Sequence, residues 1–309
     1  MKENVIHNFD ELLQAVRNLP QKRVLVVYPN NRETFGAIVE AREKTGATFT
    51  LVGSREMIQK GLAELGSSDE HYAVVNVSDP GSAIRESLEI VKKRGADILM
   101  KGGIDTSTLM KAVLGNENGF RTGRLLSDIF IMEYPDRVGN KFVMITDGGM
   151  TLAPDLANKV ELIKNAVEVA HALGNMEPKV AILSATEFVL PNLPSTLDAA
   201  ALSKMNERGQ IKGCIVDGPL ALDNALSAEA AEEKGIHSPV AGRAEILVAA
   251  NIESANSLAK STTYFANLRL AHVIVGGQIP ILIPSRADKS DAKLLSVAMG
   301  ILMSSHSSP

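Results

Sequence analysis

Short apolar runs alternate with amphipathic stretches along most of the chain. Within Phe9–Leu19 the apolar positions Leu12, Leu13 and Val16 fall at helical spacing, and Lys22–Pro29 (KRVLVVYP) is a brief β-rich run. The pair then recurs. A helix is predicted over Arg32–Lys44 and a strand over Thr48–Gly53, a helix over Arg55–Leu65 and a strand over Ala73–Ser78, a helix over Ser82–Arg94 and a strand over Ala96–Gly103, then a helix over Thr106–Leu114. The rhythm changes at Ser127–Pro135 and Lys141–Gly149, two strand-like runs separated by the polar segment Asp136–Asn140, which read as an antiparallel hairpin and a seam. Alternation resumes with helix Leu156–Leu173, strand Lys179–Ser184, helix Ser195–Arg208, strand Gly213–Pro219, a helical AEAAEEKG segment, strand Glu245–Ala250, helix Ser254–Phe265 and strand His272–Gly277. A last apolar run ending at Pro284 hands over to a helix with Leu294, Leu295, Ala298 and Leu302 on one side. The pattern predicts βαβ units around mainly parallel sheets, an α/β fold of two lobes with a cleft between them.

Composition narrows the class more than the function. With 309 residues the chain has room for two domains, each with its own core. A formal charge of −4 argues against a general nucleic-acid or membrane-surface binder, while leaving room for a local basic pocket. The N-terminal MKENVIHNFDELL has no apolar signal region, and the apolar stretch Leu268–Pro284 carries Arg269, His272 and Gln278, so a membrane span is not expected and a cytoplasmic location is. The single cysteine, Cys214, excludes an internal disulfide and a multi-thiolate metal site, and its setting in GCIVDG predicts a buried thiol. No Gly-Lys pair, no G-x-G-x-x-G after the first strand, no G-x-S-x-G and no H-E-x-x-H occur, and the six histidines are scattered, so no metal is called for.

Candidate chemistry gathers at strand ends. Ser285, Arg286, Asp288 and Asp291 occupy the turn from the last strand into the last helix, where a guanidinium beside a helix N-terminus suits an anion such as phosphate and a capped polar loop is the plain alternative. Lys101-Gly102-Gly103 leads into Asp105, Thr106 and Ser107, with Lys111 one turn further along; hydroxyls and free N–H groups there suit phosphate oxygens or a simple cap. Asp147-Gly148-Gly149 permits close approach to a ligand or a tight turn. Asn251 and Asn256 bring two amides to a helix start, able to cap or to line a ligand site.

In their order, the blocks DGGMTLAPD, DGPLALDNAL, SPVAGRAEILV, NIESANSLAKSTTYF and PSRADKSDAKL resemble those of the phosphate acyltransferases, the phosphotransacetylase and phosphotransbutyrylase family. The resemblance implies two α/β domains with the active site in the cleft between them, the first (1–138 plus 278–309) discontinuous and the second spanning 139–277. It implies reversible transfer of a short acyl group, butyryl or branched with acetyl as the alternative, between CoA and inorganic phosphate. CoA is then a substrate and no cofactor is needed. The family's Ser-Arg pair falls on Ser285 and Arg286; its aspartate falls on Asp288 or Asp291, with Asp291 preferred because it lies about a turn into the helix. Its second basic residue falls on Lys111. The strand–helix alternation also suits a two-lobed decarboxylating dehydrogenase or a ligand-binding protein, and a homodimer or higher homo-oligomer is the general expectation for such an enzyme.

In that chemistry the thiolate attacks, so a base is useful to a thiol of pKa about 8.5. A carboxylate serves only where burial disfavours its charged form, and the resemblance gives that part to Asp291. Arg286 would neutralise phosphate and Ser285 would stabilise the developing oxyanion.

Overall fold

The computed structural model describes residues 5–115, 120, 122–136, 139–285 and 287–306. Helix α1 (Phe9–Arg17) and strand β1 (Arg23–Val27) lead to α2 (Arg32–Thr45), β2 (Thr48–Gly53), α3 (Arg55–Ala63), a 3-10 turn at Asp69–His71, β3 (Ala73–Asn76), α4 (Pro80–Lys92), β4 (Ile98–Lys101) and α5 (Thr106–Val113). Strands β5 (Ser127–Asp136) and β6 (Gly139–Thr146) follow, then α6 (Leu156–Ala172), β7 (Lys179–Leu183), α7 (Pro194–Glu207) and β8 (Ile215–Leu220). The short helices α8 (Leu222–Leu226) and α9 (Ala228–Glu233) precede β9 (Ile246–Val248) and α10 (Ile252–Tyr264), and β10 (Leu270–Val275), β11 (Ile281–Leu282) and α11 (Ser290–His306) come last. Among the described residues no helix is long and apolar enough to cross a membrane.

The chain divides into a split unit, Phe9–Arg124 with Ala271–Pro309, and an inserted unit, Leu125–Leu270 with Met1–Asn8. The bounds expected from the sequence, 1–138 plus 278–309 and 139–277, differ from these. They would separate β5 from β6, whose antiparallel ladder runs from Phe130↔Ile145 to Asp136↔Gly139 and keeps the hairpin in one unit.

In the split unit the strand order is β3-β2-β1-β4-β11-β10, parallel except where β10 meets β11. Val24–Val27 of the central β1 are fully buried, as a parallel strand covered on both faces requires. The helices start where short polar side chains cap them: Asn31 and Asp79 accept from Thr34 and Ser82 N–H, with Pro80 at the first position of α4. Gly46 ends α2 in the left-handed conformation at φ 72°. Where the sequence predicts one apolar face for α11, every residue from Lys293 to Met303 is buried, because the helix packs on α1 and α2 as well as on β4 and β11. Gly300 permits this; a Cβ there would lie 3.1 Å from the Ile98 Cγ2 atom and 3.4 Å from Leu282.

The inserted unit has the order β5-β6-β9-β7-β8, parallel beyond the hairpin. Phe130, Val143, Ala181, Leu220, Leu247 and Ala255 belong to its core. Asp217-Gly218-Pro219, turn-like in sequence, lies within β8; the strand ends the order, and an edge position tolerates a proline that cannot donate to the ladder.

Candidate active site

The split unit's polar strand ends lie at the carboxyl ends of β1, β4 and β11, neighbours in its sheet. After β11 the chain turns at Ser285, which is partly buried. Ser285 N–H donates to the Asp288 carboxylate at 2.7 Å, and Asp288 N–H returns to the Ser285 carbonyl at 3.2 Å. Ala287 N–H donates to the Ser285 hydroxyl oxygen at 3.4 Å, so the hydroxyl keeps its own hydrogen for another acceptor. Asp288 is thereby committed to shaping the turn. Asp291 sits exposed in the first turn of α11. Arg286 lies outside the described residues.

One strand over, the β1–β4 ladder continues past the strand ends: Gly102 N–H meets the Val27 carbonyl at 2.9 Å and Gly103 N–H the Tyr28 carbonyl at 2.8 Å. Glycine is required at 102, since a Cβ would fall 2.6 Å from the backbone carbonyl oxygens of Val27 and Tyr28. Lys101 is 3% exposed, its ammonium turned back on the carbonyls of Gly102 and Ile104 at 3.4 and 3.3 Å. Thr106 and the exposed Ser107 open α5, whose N-cap Asp105 makes no side-chain cap bond, and Lys111 is exposed in its last turn. The split unit thus collects Ser285, Asp288, Asp291, Thr106 and Ser107 at neighbouring strand ends, with Lys111 further out.

Asp147, Asn251 and Asn256 belong to the inserted unit. Asp147 is 3% exposed, and its carboxylate gathers four backbone N–H groups, from Asp128, Gly149 and Met150 at 3.1 Å each and from Thr151 at 2.8 Å. Burial, with the Asp128 carboxylate adding to it, pushes the Asp147 pKa up to about 6 against the pull of those N–H donors. The Asn256 amide donates to the Gly148 carbonyl at 2.9 Å, so both side chains shape the loop after β6. Asn251 caps α10 in a capping box with Ser254. Cys214 is buried, as its apolar setting predicts, and burial raises its thiol to about 11.

A strand-to-helix turn carrying a hydroxyl and a carboxylate, with hydroxyls on the next strand end, has the parts of an acyl- or phosphoryl-transfer site. The profile of the family described as phosphate acetyl/butaryl transferase matches residues 75–301. The chain belongs to the phosphate acetyl/butyryl transferase family. It is 40% identical over 296 residues to the phosphate butyryltransferase of Clostridium beijerinckii, covering 96% of this chain and 97% of that one. It is 42% identical to the phosphate acetyltransferase of Thermotoga maritima, over 90% of this chain and 94% of its relative. The branched-chain phosphotransacylase structure from Enterococcus faecalis V583 superposes with a TM-score of 0.82 at 30% identity, covering 92% of this chain and 99% of the other.

Within this family's frame, one buried group at the Ser285 turn escapes a reading of the sequence. Lys293 is 1% exposed and donates to the Asp288 carbonyl, although its place in DAKLL reads as the outer edge of an amphipathic helix. Only the packing of α2 over α11 reveals it.

Proposed function

We propose that this chain, a phosphate acyltransferase, moves a butyryl or branched short acyl group reversibly between CoA and inorganic phosphate in a ternary complex. The CoA sulfur attacks the carbonyl carbon of the acyl phosphate. A carbon–sulfur bond forms, the carbon–oxygen bond to phosphate breaks, and the bonding pair leaves with the phosphate. Asp291 takes the thiol proton; it is exposed in the chain alone, and a CoA laid over the first turn of α11 would withdraw it from water. The Ser285 hydroxyl donates to the carbonyl oxygen as it becomes an oxyanion, a contact of about 3 kcal/mol in comparable sites. Arg286 neutralises the phosphate, with Thr106, Ser107 and Lys111 as further anion ligands. Asp147, Asn251 and Asn256 serve by holding the loops that bear on substrate. No cofactor is needed, the location is cytoplasmic and the enzyme works as a homodimer or higher homo-oligomer.

The observation that carries the assignment is the turn after β11. There the Ser285 backbone N–H is committed to Asp288, while its hydroxyl oxygen accepts from Ala287 N–H and can turn its own hydrogen toward an oxyanion. The chain-length preference leans on the butyryl and branched-chain names among the relatives.

Free CoA released from acyl-CoA in the presence of phosphate, followed with a thiol-reactive dye, tests both. Butyryl- or isovaleryl-CoA is expected to exceed acetyl-CoA in kcat/KM, each methylene being worth about 1 kcal/mol. Ser285→Ala, Arg286→Ala and Asp291→Asn are each expected to lower kcat at least a hundredfold. Release that needs no phosphate would make the enzyme a thioesterase.

A further inference from the structure

Lysine is a costly residue to bury, and α11 offers ample apolar alternatives. Its neighbours in the same turn and the next are Leu294, Leu295 and Val297, all fully buried. Lys293 is nonetheless 1% exposed, with its ammonium on the Asp288 carbonyl. Asp288 in turn holds Ser285 from both sides, by its carboxylate at 2.7 Å and its N–H at 3.2 Å. From α2, Glu33 reaches the first residue of α11, its carboxylate accepting from Ser290 N–H at 3.2 Å and from the Ser290 hydroxyl at 2.9 Å. Gly36, one turn along α2, leaves room for this; a Cβ there would lie 2.9 Å from the Ser290 hydroxyl oxygen.

We infer that Lys293 is a positioning residue for acyl transfer: its buried ammonium, anchored on the Asp288 carbonyl, holds the Ser285–Asp288 turn so that the Ser285 hydroxyl meets the oxyanion. The inference rests on the placement of Ser285 in the reaction site. Desolvation pulls the Lys293 pKa down, while the carboxylates of Asp288 and Glu33 work to keep it charged. Burial thus sets a cost on the charge at a place where a methionine would pack freely. A lysine serving only the core would gain nothing from that cost. One that pins the carbonyl of the residue gripping Ser285 at both its N–H and its C=O removes the turn's freedom to rotate, and a displacement of about 1 Å at a reacting group lowers rate about a hundredfold.

The test is Lys293→Met, which keeps the length and apolar stem and removes the ammonium, assayed for CoA release alone and in the Ser285→Ala background. The expected result is a kcat at least tenfold lower with KM for butyryl-CoA and for phosphate within threefold, and less than twofold further loss when Ser285 is already alanine. That non-additivity marks two residues acting through one group, which a general loss of packing would not produce. Wild-type kcat in folded K293M, or the same loss in both backgrounds, overturns the inference. Should K293M not fold, Glu33→Gln decides: it keeps an acceptor for Ser290 but removes a charge facing Lys293, and is expected to lower kcat threefold or more only when Ser285 is present. Unchanged kcat in E33Q, or an equal loss without Ser285, then overturns it. Full activity in Ser285→Ala alone would instead remove the site assignment itself, an outcome read before the Lys293 comparison begins.

Discussion

The Asp147 carboxylate joins two demands that usually conflict: it is buried beside Asp128, and it accepts four backbone N–H groups. Burial and the neighbouring charge prevail, so its pKa stands at about 6 in the folded chain against an ordinary 3.8. The folded state therefore binds more protons than the unfolded one between those values, and stability falls as pH rises through that window. The shift corresponds to about 3 kcal/mol, absent below about pH 3 and fully felt above about pH 7. Urea denaturation of the native chain and of Asp147→Asn at pH 4.5 and at pH 7 measures it. Relative to the variant, the native chain is expected to lose most of that amount between the two; a constant difference would mean that Asp147 ionises freely. The same scale separates the two candidate aspartates of the last turn. Asp288 and Asp291 are equivalent as letters in SRADKSD, and only the hydrogen bond from Ser285 N–H assigns Asp288 to the turn itself.

At the scale of elements, α11 carries the candidate Ser285 turn on one end and the core of the split unit along its length. Its burial from Lys293 to Met303 needs a close approach to the sheet, where Gly300 leaves room for Ile98 and Leu282. A glycine-to-alanine change inside a helix gains about 1 kcal/mol of propensity, which its single methyl would spend against Ile98. Gly300→Val adds two more carbons with nowhere to go, and a loss of about 2 kcal/mol is expected, read as a lower urea midpoint at unchanged slope. A midpoint equal to that of the native chain would mean that α11 can shift away from β4 and β11. The strand–helix alternation made this element legible, but not its burial on all sides. A one-sided pattern of Leu294, Leu295, Ala298 and Leu302 records one neighbour, while Val297, Met299 and Ile301 are buried as well because α11 also packs on α1 and α2, which lie far away in the chain.

For the molecule as a whole, the split unit is completed only when the chain returns. Residues 9–124 contain β1–β4 and their helices but lack β11, which pairs with β4 at Ile281↔Leu99, and lack α11. A fragment ending at Arg124 is expected to show no cooperative thermal transition by circular dichroism, since it would leave one side of the central β4 and the α11-facing sides of α1 and α2 uncovered. A sharp transition in that fragment would show that the closing helix is dispensable to the unit's core.

By itself the sequence determined the α/β class, the hairpin, most helix and strand positions and the family, because apolar period, caps and motif order are local properties read along the chain. It also singled out Ser285 and the strand ends, where polar residues interrupt apolar runs. The tertiary structure alone decided what those residues touch. It tied Asp147 and Asn256 to one loop, made Asn251 a helix cap, kept β5 with β6 and buried Lys293 beneath the Ser285 turn. The reason is physical: burial and hydrogen-bond partners come from segments distant in sequence, Glu33 to Ser290 or Asp128 to Asp147, and no local pattern encodes a distant neighbour.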